Sequence, residues 1–433
     1  MTIDEIDQAF RESPLIVELE AVAKGGDFSS FDSPAKRQHF VPRFLLGRFA
    51  EQVAGKELIY QLDIDSGSTQ RVETKSAASR RYFYALLDEE GNRNNRIEGF
   101  LARVESHAAV ALRTFLADPL ALTPGDRATL SLFFALQDAR TPISTERSAG
   151  ASNTIMRLLF AAEFTNRELF AERYQQLYGA TDPEVVEETR KTLLRNLADG
   201  EVEFSDPKGQ ALDVGFGIAG QLAYTIYAMD WRLLLHEEGF VTSDRGLAMH
   251  DPYIPYPFAA QSWASSAESE TTIPLSSNAC LLIRPLSFGI DTQEIDKHGA
   301  AVINRRTFAW ADGYIFGKTE DIVVAVHRDA QESPEEIVKP RPRVLVMVFD
   351  VDGADDSFAD ANEARGWPRY FKHEGVEHDY AVIPHGAESL EIGAEINRKV
   401  EERARRKLGI PDGEPMPGGA AIDMLDPRDL SAN

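Results

Sequence analysis

Between Gln38 and Ala50 the chain reads QHFVPRFLLGRFA, and this stretch constrains the fold more than any other. Proline has no N–H and a fixed φ, so Pro42 suits the first turn of a helix. Gln38, His39 and Phe40 are then extended or turning into it. From Pro42 onward Phe44, Leu45 and Phe49 recur at helical spacing. Gly47 weakens that helix but lets a second backbone come close. Arg43 and Arg48 sit on an otherwise apolar surface. His39 lies just ahead of the helix N-terminus, where the dipole favours a neutral imidazole. Two readings stay open: a docking helix whose Gln38 and His39 satisfy backbone groups, or a site in which His39 is a base.

Two further helices carry charge in costly places. Arg96 to Leu116 presents Ile97, Leu101, Val104, Ala108 and Phe115 on one face. Glu98 and Glu105 stand two turns apart and share a stripe at the edge of that face. Paired carboxylates there can act as acid and base, as ligands of a divalent metal, or as a solvated border of salt bridges. Thr123 and Pro124 open the next helix, with Thr123 as N-cap. Its face runs Leu130, Phe133, Phe134, Gln137, which aims Gln137 at the core with Arg140 following. A buried arginine needs a partner. Glu98 or Glu105 is the partner expected, and an anion-binding Arg140 over a pocket is the alternative.

The rest of the chain alternates between helical and extended patterns. Leu58–Asp63 and Thr69–Thr74 read as a hairpin turning at Asp65–Gly67. Ile143 to Gly200 reads as helical, and Ile218 to Glu238 as another helix, with Gly239 as its C′ residue. Phe240 and Val241 form a short strand that sets Thr242, Ser243 and Asp244 at its end. That position suits a catalytic carboxylate and an Asx turn equally. Thr272–Pro274 and Ala279–Arg284 are strands, and Asn304 to Ile315 is predicted helical. Val344–Phe349 is a strand, and Ser389 to Leu408 a last amphipathic helix. The residues FDVDG at Phe349–Gly353 resemble the nucleophile motif of haloacid-dehalogenase-like phosphatases. Ala354 stands where Thr or Val normally follows, and too little chain remains for the other motifs, so that resemblance is set aside.

Composition limits the function classes. The 433 residues are 43% hydrophobic, ample for a large core. A formal net charge of −24 disfavours broad nucleic-acid binding. Cys280 is the only cysteine, so no intramolecular disulfide forms, and a reducing cytoplasm is the expected compartment. No apolar run approaches the length of a membrane span, and the opening MTIDEIDQAF lacks a signal core.

The Gln38–Ala50 stretch resembles the opening signature of the bacterial Domain of Unknown Function 4238 family, through Gln38, His39, Phe40, Val41, Pro42, Phe44, Leu46 and Phe49. The chain departs at Leu45, where the family often has Tyr, and at Gly47, where it often has a basic residue. RRYFYALL at Arg80–Leu87, the Ile97-Glu98 and Glu105 positions, QDARTP at Gln137–Pro142 and Asn304 are similar to later family segments. GFVTSD at Gly239–Asp244 is too, with Arg245-Gly246 in place of Asn-Pro. The resemblance spans about Gln38 to Lys318 and implies a shared fold, with no established activity.

The expected fold class is α+β: a mainly helical body with a small mixed sheet and a C-terminal α/β extension. The expected organisation is a peripheral segment at 1–33, a core at 34–332, an extension at 333–410 and a disordered tail at 411–433. Two functions are weighed. One is a hydrolase or nuclease-like enzyme using His39, Glu98, Glu105, Arg140 and Asp244, supported by Gln38, Arg43, Gln137, Thr242, Ser243 and Asn304. In it Asp244 orients a base or ligates a divalent metal. The other is a non-catalytic regulatory or protein-binding chain, in which the same residues form a structural polar network.

Overall fold

The computed structural model describes residues 3–25, 31, 33–87, 93–142, 160, 164, 167–179, 182–198, 219–220, 222–237, 239–250, 269–285, 288–332, 344–349, 371–373 and 376–384, with a few single positions beyond. Two compact units are present: Met1–Glu146 with Pro207–Arg341, and Arg147–Asp206 with Pro342–Asn433. The class is α+β.

The first unit opens with α1 (Ile3–Arg11) and α2 (Pro14–Gly25). Their Ile6, Phe10, Leu15 and Ile16 are buried in the main core, so these helices are part of the packing rather than peripheral to it. After β1 (Arg37–His39), Pro42 stands at φ −57° and ψ 139°, just before α3 (Arg43–Leu46). The expected helix is therefore a single turn, continued by a 3-10 turn at Gly47–Phe49. Leu45, Leu46 and Phe49 are fully buried and make it an anchor.

Strands β2 (Glu51–Val53), β3 (Lys56–Asp63) and β4 (Thr69–Glu73) follow. The predicted hairpin forms, pairing Leu58 with Glu73 through Leu62 with Thr69. β5 (Ser79–Arg81) returns to pair antiparallel with β1, and β6 (Leu86–Leu87) pairs with β7 (Arg93–Asn94). Helices α4 (Arg96–Ala117) and α5 (Pro124–Ala139) pack on each other, as their apolar faces predict. The Thr123 hydroxyl accepts from the Asp126 amide at 3.1 Å, the expected N-cap.

The chain then enters the second unit, where α6 (Arg167–Tyr178) packs on α7 (Pro183–Ala198). That unit also holds an antiparallel sheet described below. Back in the first unit a helix runs through residues 222–228, and there the sequence reading needs correction. Asp230–Leu235 is strand β8, not the second half of a helix. Leu222, Ile226, Met229 and Leu233 happen to fall at helical spacing. Trp231 and Leu233 are nonetheless buried in a strand paired on both sides, and tertiary pairing overrides the pattern. Gly239 is accordingly a loop residue at φ +108° and not a helix C′ residue.

The next strands are β9 (Thr242–Ser243), β10 (Ala248–His250), β11 (Glu270–Ser276), β12 (Ala279–Arg284) and β13 (Gly289–Glu294). Helix α8 (Lys297–Trp310) is capped by Asp296 and ends earlier than predicted. Tyr314 and Ile315 belong to strand β14 (Tyr314–Gly317), which α9 (Glu320–Glu332) follows. Among the described residues of the first unit two sheets have five strands each. One runs β10-β11-β12-β8-β13 and is mixed, because β13 lies parallel to β8. The other runs β2-β3-β14-β9 with β4 on β3 and is antiparallel throughout.

In the second unit β15 (Val344–Phe349), β16 (Phe371–His373) and β17 (Val376–Pro384) form an antiparallel sheet in the order β15-β17-β16. Asp350–Gly353 and the helix predicted at Ser389–Leu408 fall outside the described residues, apart from Arg405. Among the described residues no helix is long and apolar enough to cross a membrane.

Candidate functional site

Strand alternation begins the site. Pairing of β1 with β5 sets Gln38 opposite Arg80 and His39 opposite Ser79. Arg37 faces solvent and Gln38 is fully buried. The buried amide is satisfied at both ends. Gln38 Oε1 accepts from the Tyr84 backbone N–H at 2.5 Å, and its Nε2 donates to Asn95 Oδ1 at 3.2 Å. Beyond β1 the chain turns at Phe40, whose carbonyl would otherwise be buried without a partner. Gln137 Nε2 donates to that carbonyl at 2.8 Å and Arg140 Nε at 3.1 Å. Arg140 Nε also donates to Gln137 Oε1 at 3.0 Å. The Tyr84 hydroxyl completes the group by donating to the Arg140 carbonyl at 2.9 Å.

Arg140 caps the C-terminal end of α5 and is 1% exposed. The carboxylate expected beside it is Glu105, whose Oε1 lies 2.6 Å from Arg140 Nη1. Glu98, two turns earlier on α4, has no hydrogen-bond partner among the described residues. Its carboxyl is raised to about 7, first by burial and then by repulsion from Glu105, with Arg140 opposing. His39 is held below the usual imidazole range. Burial is the main cause, with Arg140, Arg37 and Arg43 adding repulsion and a hydrogen bond to the Thr74 backbone opposing. The neutral form predicted from the helix dipole is thus favoured for a different reason, since α3 is only one turn long. Among the described residues His39 Nε2 and Arg140 Nη2 are both buried without a hydrogen-bond partner. Arg43 stays outside the cluster, more than half exposed, with Nη2 3.1 Å from Glu57.

Asp244 sits on a second set of elements. It follows β9, and its backbone N–H donates to the Tyr314 carbonyl at 3.0 Å. Its carboxylate accepts three backbone N–H bonds: Asp312 to Oδ1 at 2.8 Å, and Gly313 and Tyr314 to Oδ2 at 2.7 and 3.1 Å. Burial raises its carboxyl to about 6, and the three amides pull the other way. Asn304 holds the strand that leads there. Its Oδ1 accepts from Val241 N at 3.0 Å and its Nδ2 donates to Gly239 O at 3.2 Å. Ser243 Oγ accepts from the Arg245 amide at 3.3 Å, while Thr242 Oγ1 is buried without a hydrogen-bond partner among the described residues. The Arg245-Gly246 departure from Asn-Pro has a structural counterpart. Gly246 lies at φ +75° and its N–H donates to Ser243 O at 3.1 Å. Proline can do neither.

Gln137 joins the two sets, because its Nε2 also donates to the Arg245 carbonyl at 3.2 Å. Next to this junction is a cavity of about 340 Å³, lined by Phe40, Arg80, Thr141, Asp244, Arg245, Asp312 and other residues. His39, Glu98, Glu105 and Arg140 do not line it. The side chains singled out in the sequence thus fall into two neighbouring groups rather than one pocket. Among the described residues no three His, Cys, Asp or Glu side chains gather as a metal ion requires, and both oxygens of Asp244 are held by amides. The described residues therefore do not fit a divalent metal at Asp244.

Four contributors escaped the sequence reading. Tyr84 and Asn95 complete the Gln38 network, and Arg245 lines the cavity. Arg127, 2% exposed, donates to the carbonyls of Tyr227 at 2.9 Å, Met229 at 2.5 Å and Gly289 at 3.0 Å. It also stacks on Trp231 and Phe288, and burial lowers its guanidinium to about 10. The available signal was its helical spacing ahead of Leu130 and Phe134 on the buried face of α5.

Residues 37–321 match the family described as Protein of unknown function (DUF4238). The chain belongs to that family. No curated protein and no solved structure matches it.

Proposed function

Taking family membership as the premise, we propose that this chain is a non-catalytic binding protein whose signature side chains form a structural polar network around a binding cavity. One observation carries the reading. Gln38, Gln137, Arg140, Asp244 and Asn304 all hydrogen-bond to backbone groups of other segments. Buried backbone groups need partners, and the irregular stretches around Phe40, Gly239–Val241 and Asp312–Tyr314 find theirs in these side chains. A general base must present a lone pair to its substrate. The Asp244 carboxylate already accepts three amides.

A second reading, a hydrolase with Glu98 as acid–base group, is favoured by one feature. Among the described residues Glu98 has no hydrogen-bond partner, and its carboxyl is raised to about 7 beside the ion-paired Glu105. A carboxyl raised by its surroundings is a common acid–base group.

Two variants separate the readings. Asp244→Asn keeps the shape but cannot accept all three amides, and a buried unsatisfied donor costs about 1–3 kcal/mol. The network reading expects the melting temperature of Asp244→Asn to fall by several degrees. It also expects wild type and Glu98→Gln to be indistinguishable on a panel of phosphate esters, carboxylic esters and single-stranded nucleic acid. Turnover by wild type that Glu98→Gln abolishes while remaining folded would move the assignment to the hydrolase.

A further inference from the structure

The cavity beside Asp244 is bordered by an arginine that no described carboxylate neutralises. Arg245 is 3% exposed and lines the cavity. Its guanidinium lies 4.3 Å from the centre of the Trp310 ring, and Nη1 reaches the Trp310 carbonyl at a long 3.5 Å. Nη2 has no hydrogen-bond partner, and no carboxylate pairs with Arg245 among the described residues. Its neighbour Asp244 is occupied by the amides of residues 312–314. An unpaired buried cation is expensive, and an anion supplied from outside would remove that cost.

A second guanidinium lines the same space. Arg80 is exposed, lies over the Phe83 ring at 5.8 Å and also has no carboxylate partner among the described residues. Thr141 and Tyr314 add hydroxyl groups to the lining. Asp244 and Asp312 line it as well and offset the two guanidinium charges, so the lining favours a ligand with one anionic group over a polyanion. The volume, about 340 Å³, suits a small metabolite rather than a polymer. The frame is fixed: Gln137 holds the Arg245 carbonyl, and Gly246 provides the turn. Arginine presents planar paired donors that match an oxyanion.

We propose that this cavity binds a small molecule through a single oxyanionic group, carboxylate or phosphate, held by Arg245 with Arg80 at the entrance. The proposal rests on the binding reading above. The two fail separately, because Asp244→Asn tests the network by melting alone and the following experiment tests ligand uptake.

Full-length protein is melted in inorganic phosphate, in acetate and in chloride at matched ionic strength. For millimolar affinity and about 20 mM anion, mass action gives a melting rise of roughly 3–6 °C over chloride. The two oxyanions are compared to tell phosphate from carboxylate preference. The rise should shrink at least threefold in Arg245→Gln and also in Arg80→Gln. Arg80 is exposed, so its variant folds even if the Arg245 variant does not. The proposal is overturned if neither oxyanion exceeds chloride. It is also overturned if Arg80→Gln and any folded Arg245→Gln respond as wild type does, which would identify an adventitious ion only.

Discussion

Replacing Arg140 by alanine tests how the two groups of polar residues are held together. The substitution removes the 2.6 Å pair with Glu105 and the donors to Phe40 O and Gln137 Oε1. Breaking a buried ion pair from one side costs about 3–5 kcal/mol. Two features place Arg140→Ala toward the lower part of that range. Glu105 is 26% exposed and regains some hydration once its partner is gone. The Phe40 carbonyl keeps its 2.8 Å bond from Gln137 and is not orphaned. Losing the donor to Gln137 Oε1 adds about 1 kcal/mol. The sum expected from urea titration is about 3–4 kcal/mol with an unchanged slope. Glu105→Ala and the double variant complete a cycle, whose coupling should be about 2 kcal/mol. A single-variant loss below about 1 kcal/mol is the value of a surface pair and would refute the buried arrangement.

Two other perturbations give clear signs. The folded Glu98 carboxyl is raised to about 7, so the native state holds that proton more tightly than the unfolded chain. Its contribution is complete below the ordinary carboxylate range and disappears as pH rises through about 7. Glu98→Gln should therefore gain about 1–2 kcal/mol on wild type between pH 5 and pH 8, after discounting for partial exposure. An equal offset at both pH values counts against this. Gly246→Ala places a side chain at φ +75° and 3.2 Å from Gln137 Nε2. Gly55→Ala, at φ +76° with open space around it, is the control. The left-handed conformation costs about 1–2 kcal/mol at either position. A larger loss at 246 would report the Gln137 contact, and equal losses would show that Gln137 gives way freely.

How far the site could be read in advance depended on what each side chain binds. Arg140 and Glu105 were legible because helix periodicity sets both on inward-facing stripes, and a buried cation calls for a carboxylate. The β3–β4 hairpin and the Thr123 cap were legible because turn and cap chemistry are local. Strand β8 was not. Its leucines satisfy a helical template as well as a strand, and only pairing with β12 and β13 decides between them. Arg245 was noted only as part of the Arg245-Gly246 departure from Asn-Pro, because nothing in the sequence shows where its neighbour Asp244 turns. In the structure Asp244 turns to the amides of 312–314 and leaves the arginine without a carboxylate partner among the described residues.

That last case follows from the nature of the partners. Gln38, Gln137, Asp244, Asn304 and Arg127 bind backbone amides and carbonyls, which every stretch of chain carries and no residue pattern marks. A sequence can therefore show that such a side chain is costly to bury without showing what satisfies it. The Phe40 carbonyl shows the consequence. It is the point where two helical side chains meet β1, and its position follows from Pro42, which ends the strand and begins the turn. Proline disfavours the helical conformation at Val41, so Phe40 O lies outside α3 and takes its donors from elsewhere. Gln137 and Arg140 are that donor pair, and through Gln137 the same choice fixes the Arg245 carbonyl beside the cavity.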